Sequence, residues 1–193
     1  MTEAPLGDFP LVTDAETDPG FADRIKATPG GEGILRCYAC GTCSASCPIR
    51  AIDEEFNPRR IIRLALLGLK HEVLRSQFIW LCTGCFICQE RCPQDVRITD
   101  LMMALRNIAT EDGFPHPTVQ AIAEMLEAHG AVLETGDFEN EKRAKSGLPP
   151  RRPPAQPVRD IIEGTGLGDR LRAAKARAAG AAATGTEAKG GEA

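Results

Sequence analysis

The chain contains CYACGTCSASCP at residues 37–48 and CTGCFICQERCP at residues 82–93. The same cysteine spacing occurs twice at an offset of 45 residues, and the two runs use all 8 cysteines. Four thiols crowded this closely call for disulfide partners or for metal. Disulfide frameworks belong to small secreted chains. The start, MTEAPLGDFPLVTDAETDPG, is acidic and lacks the basic and apolar regions of a secretory signal, so the expected compartment is cytoplasmic, with reduced thiols. Structural zinc usually takes two well-separated cysteine pairs. Here three thiols at i, i+3 and i+6 wrap one side of a cubane. The fourth, set off by three residues and turned by a proline, is badly placed for the same metal. In two-cluster ferredoxins of this spacing it ligates the other cluster. The expectation is two [4Fe-4S] clusters, one on Cys37, Cys40, Cys43 and Cys92, the other on Cys82, Cys85, Cys88 and Cys47.

With every thiol used, no iron is left open for substrate, and no catalytic residue is expected. His71, His116 and His129 are scattered, and no glycine-rich phosphate loop occurs. Electron transfer remains. The 7 Phe, 1 Trp and 1 Tyr form a lean aromatic supply, as expected if a cofactor fills part of the interior. Gly41 and Gly84 are expected to let backbone approach the clusters, and Ile49, Phe86 and Ile87 to exclude water. The formal charge of −4 argues against nucleic-acid binding, and no apolar run approaches the ~18 residues of a membrane span.

The remaining segments read as helices joined by punctuated loops. Residues 1–20 form an extended leader. A ferredoxin-type domain spans 21–135, beginning with the short helix FADRIKAT. Asn57-Pro58 caps a helix with Ile61, Ile62, Ala65, Leu66 and Leu69 on one face. A second helix over 71–81 delivers Trp80 and Leu81 to Cys82. Thr99 or Asp100 caps a third, and TVQAIAEMLEAHG forms a fourth, closed by Gly130. Arg59, Arg60 and Arg63 read as a solvated helix face. Residues 136–176, rich in proline and mixed charge, read as an extended arm with one or two helical turns near its end, and the Ala/Gly-rich 177–193 as a disordered tail.

CYACGTCSASCP, FNPRRIIRLALLGLKHEVL and IWLCTGCFICQERCPQDVRITDLMMALRNIA together resemble the C subunit of heterodisulfide reductase and its bacterial relatives; SGLPPRRPPAQP resembles that family's C-terminal arm. The resemblance implies a mostly α, alpha-helical ferredoxin fold carrying two [4Fe-4S] clusters and an extended C-terminal arm. It also implies an electron-transfer role between two partners: a flavin-containing A subunit and a disulfide-reducing B subunit with CCG motifs. This chain has no CCG motif, so disulfide chemistry is expected on a separate chain. The 137–160 arm is expected to cover the B subunit. A free, soluble two-cluster ferredoxin is the competing reading.

Overall fold

The computed structural model describes residues 17–184 apart from 54–55, 134 and 152–154. The expected leader lies mostly outside the described residues. No strand occurs among them. The chain divides into two compact units, at residues 109 and 110.

The first unit is built on α1 (Phe21–Ala27), α2 (Thr42–Ala45), α3 (Pro58–Leu66), α4 (Lys70–Arg75), α5 (Ile87–Glu90) and α6 (Ile98–Glu111). In α1, Phe21 and Ile25 lie one turn apart and are fully buried. Thr28 leaves the helix in an extended conformation, as a residue before proline must. In α3 the sequence signals work as expected. Pro58 occupies the first turn, and the Asn57 side chain accepts from the Arg60 N–H at 3.2 Å. Ile61, Ile62 and Ala65 are buried and face the core, as is Leu69 just beyond the helix. Gly68, at φ 76°, turns the chain; a Cβ there would stand 2.6 Å from the Asp18 carbonyl oxygen, so only glycine lets residues 17–20 dock against the end of α3.

The expected helix over 71–81 is broken in two. α4 ends at Arg75, and a 3-10 turn runs over Gln77–Trp80. Ser76 makes the break: it is extended, and its hydroxyl accepts from the Phe78 N–H at 3.1 Å. Serine offers the backbone this local alternative to helix. The turn buries Phe78 and Ile79 and stacks Phe78 on Phe56, with ring centroids 4.2 Å apart. α6 starts at Ile98, just ahead of both proposed caps, which places Thr99 inside the helix and buries it. Leu101, Met102, Leu105 and Ile108 of α6 complete the core.

The second unit contains α7 (Pro117–His129), α8 (Asp137–Lys145), α9 (Ala155–Gly164) and α10 (Leu167–Thr184). α7 closes as expected, with Gly130 left-handed and its N–H bonded to the Leu126 carbonyl at 2.8 Å. The segment read as an extended arm is mostly helical instead. α8 is supported by Glu139, which accepts from the Gly136 N–H at 2.9 Å, and by acidic residues in its first turn and basic ones in its last. α9 tolerates Pro157 because it lies in the first turn, where its missing N–H costs no helical bond. Ile162, Leu171 and Ala174 are buried where α7, α9 and α10 pack together, and Arg159 Nε donates to the Glu127 carbonyl at 2.7 Å. Of the expected arm, the short stretch 146–151 stays irregular, pinned to α8: Arg151 N–H donates to Asn140 Oδ1 at 2.8 Å and Arg143 Nε to the Pro149 carbonyl at 3.0 Å. α10 likewise carries helix into the expected disordered tail, as far as Thr184; residues 185–193 lie outside the described residues.

Candidate iron–sulfur centre

Each cysteine run follows the same backbone course. A 3-10 turn (Ile34–Arg36 or Gln77–Trp80) delivers the first cysteine, and the third lies in a one-turn helix, α2 or α5. Between them, two positions in each run take positive φ: Ala39 at 62° and Gly41 at 87° in the first, Gly84 at 67° and Phe86 at 62° in the second. At the 45-residue offset, Ala39 matches Gly84 and Gly41 matches Phe86. Each run therefore has one glycine and one strained L-residue at the same two places, in opposite order. Left-handed backbone costs an L-residue ~1–2 kcal/mol, and such strain is retained where surrounding structure or function requires it. The two glycines are legible in the sequence; their non-glycine counterparts are not.

All eight thiols are free, and the third of each run, Cys43 or Cys88, is buried. They stand around two hollows. One is lined by Cys37, Cys40, Cys43 and Cys92; the other by Cys82, Cys85, Cys88 and Cys47. Each hollow thus gathers three sulfurs of one run and the last of the other. Ser46 and Arg91, the residues just before these fourth cysteines, bond across the runs: the Arg91 guanidinium donates to the Ser46 hydroxyl at 3.1 Å. Among the described residues, no three Cys, His, Asp or Glu side chains converge on a single-ion position. Thiols spread around a hollow suit a multi-iron cube better than one tetrahedral ion.

The apolar lining comes crosswise as well. Val96, Ile98 and Ile62 line the first hollow; Phe56, Pro58 and Met102 line the second. Phe56 and Val96, Pro58 and Ile98, and Ile62 and Met102 are each 40 positions apart. α3 and α6 are therefore counterparts at an offset of 40, five fewer than the cysteine runs, because the link after the first run is longer. Ile98 touches both hollows. Of the residues expected to exclude water, Ile49 lines the second hollow. Phe86 and Ile87 line neither and remain 48% and 37% exposed, with Phe86 spent on the left-handed turn. None of the three histidines lines a hollow; His116 instead caps α7, accepting from the Thr118 N–H at 3.3 Å.

The thiols differ in acidity by environment. Burial pushes Cys88 up to about 11, opposed by the Thr99 hydroxyl 3.9 Å from its sulfur. Burial raises Cys43 in the same way. Cys40 is lowered, chiefly because the Thr42 hydroxyl bonds its sulfur at 3.3 Å, and the neighbouring Cys40 raises Tyr38. A buried thiol that resists ionisation alone becomes a thiolate when a metal cation binds it. Cys92 receives a backbone N–H, from Val96, at 3.4 Å. Such donors stabilise charge on cluster sulfurs. On the second side, Arg106 of α6 holds the backbone entering the run: its guanidinium donates to the carbonyls of Ile79 at 2.8 Å, Trp80 at 3.3 Å and Cys82 at 2.6 Å. No motif or spacing in the sequence singles out Arg106.

The helical frame and paired thiol hollows define an iron–sulfur protein, and residues 33–96 match the family described as 4Fe-4S dicluster domain. The chain is 36% identical over 164 residues to the C subunit of the H(2):CoB-CoM heterodisulfide,ferredoxin reductase of Methanothermobacter thermautotrophicus, covering 81% of this chain and 88% of that one. It is 35% identical over 160 residues to the iron-sulfur C subunit of the CoB--CoM heterodisulfide reductase of Methanopyrus kandleri, covering 79% and 83%. The iron-sulfur C 2 subunit of the same reductase in Methanocaldococcus jannaschii is 40% identical over 130 residues, covering 65% of this chain and 69% of that protein. The chain belongs to the family of heterodisulfide reductase C subunits. Membership implies iron–sulfur electron transfer. Among the described residues, no helix is long and apolar enough to cross a membrane.

Proposed function

We propose that this chain is the electron-relay subunit of a cytoplasmic heterodisulfide reductase-type complex. It holds two [4Fe-4S] clusters, one on Cys37, Cys40, Cys43 and Cys92 and one on Cys82, Cys85, Cys88 and Cys47. Such clusters supply one-electron acceptance and release. The chain's residues orient thiolates, exclude water and set the local charge. The crossed lining of the two hollows carries this reading: it draws three sulfurs from one run and the fourth from the other, with Ile98 against both. An apolar residue shared by two electron sites suits a relay. No catalytic residue is assigned to the chain itself. A flavin-containing A subunit and a CCG-motif B subunit stand on either side of it, and disulfide chemistry resides on the latter.

Anaerobic purification of the native protein tests this. The expected result is ~8 iron atoms per chain, from two four-iron clusters, and co-purification with a flavoprotein and a CCG-motif protein. A brown protein eluting alone near 20.7 kDa would instead make it a free ferredoxin-type carrier. A colourless, zinc-loaded protein would reject iron–sulfur function.

A further inference from the structure

The matched linings of the two hollows differ in charge at one pair of helix positions. Where α6 carries Thr99, beside the second hollow, α3 carries Arg59, beside the first. The Arg59 guanidinium lies against the turn between Cys40 and Cys43: a Cβ built on Gly41 would stand 3.4 Å from Arg59 Nη1. At the matching turn, Phe86 replaces Gly41, and the residue lining the hollow is Thr99, whose hydroxyl stands 3.9 Å from Cys88 Sγ. One hollow therefore has a full charge where the other has a dipole. Among the described residues, no carboxylate pairs with Arg59. Its backbone is held as well, since the Arg59 N–H donates to the Ser44 hydroxyl at 3.0 Å and that hydroxyl donates to Asn57 Oδ1 at 2.6 Å. Arg106, the cation on the second side, is engaged with three backbone carbonyls and does not line the second hollow.

We infer that Arg59 sets the reduction potential of the cluster in the first hollow, an inference that rests on the proposed two-cluster reading. Guanidinium keeps its charge at any working pH. An electron added to a cluster with four thiolates joins an already negative centre, and a fixed cation at its edge favours that electron. Removing the cation lowers the potential of that cluster and leaves the other in place. Because Arg59 is exposed and salt screens its charge, low ionic strength gives the clearest reading.

The test is a redox titration followed by paramagnetic resonance on the iron-loaded full-length chain, comparing wild type with Arg59→Met, Arg59→Gln, Arg59→Lys and Thr99→Val. Both neutral variants are expected to keep the wild-type iron content. They should also make one of the two clusters at least tenfold harder to reduce, about 59 mV for one electron. Arg59→Lys should recover most of the difference, and Thr99→Val should leave that same midpoint unmoved. Unmoved midpoints in both neutral variants with iron retained would overturn the inference, as would Thr99→Val and Arg59→Met shifting one and the same cluster. A wild-type chain with fewer than two titrating clusters would reject the two-cluster reading, and this inference with it.

Discussion

Around the first cysteine run, Arg59 brings charge to the hollow while the entering backbone is held by ordinary turns. Around the second, Thr99 brings a hydroxyl to the hollow, and Arg106 grips the entering backbone from behind. The thiol spacing and the left-handed turn positions match between the two. Duplication thus preserves what holds a cluster and lets its surroundings diverge. Two clusters with different surroundings can hold different reduction potentials.

The largest expected effect comes from breaking the crossing itself. Cys47→Ser should remove the same resonance signal as Cys88→Ser, with roughly half the iron, and Cys92→Ser the same signal as Cys43→Ser. If Cys47→Ser grouped with Cys43→Ser, each run would hold its own cluster and the comparison would collapse. Next comes the one-sided clamp. Arg106→Leu leaves three carbonyls without their charged donor and should cost about 2–3 kcal/mol, read as a lower denaturation midpoint of the iron-loaded chain. Cluster loss should begin with the signal that Cys88→Ser removes. Loss of the other signal first would show that the clamp supports the whole unit instead of one hollow. The smallest effect concerns the swapped turn residues. A Cβ at Gly84 meets nothing within 4 Å, so Gly84→Ala should cost only backbone strain, about 1 kcal/mol. Ala39→Gly should give a smaller gain, because glycine also loosens the unfolded chain. Thermal unfolding of the iron-loaded variants measures both.

Much of this was legible in the chain. Asn57-Pro58 and the apolar face of α3 could be read directly, as could Gly130 at the end of α7, because capping and helical periodicity are local. The break at Ser76 was less visible, since a single hydroxyl bond outweighed an apolar pattern that continued past it. α8 and α9 were hidden by proline content: Pro157 falls in a first turn, where proline is harmless, and Glu139 anchors a helix with no buried residue. At the site, the eight cysteines stand out, while Arg59 reads as a solvated surface residue and Arg106 as one more helical cation. Their importance depends on what lies opposite them, and no pattern along the chain records that.

The sequence by itself determined a helical iron–sulfur protein with a duplicated thiol pattern, because cluster chemistry demands cysteines at short, regular intervals and helices declare themselves through their caps and faces. Only the tertiary structure decided that α3 and α6 correspond at a different offset from the thiols, that Ile98 lies against both hollows, and that Arg59 sits at one hollow where Thr99 sits at the other. Proximity across tens of residues depends on how helices pack, and packing answers to the whole core at once.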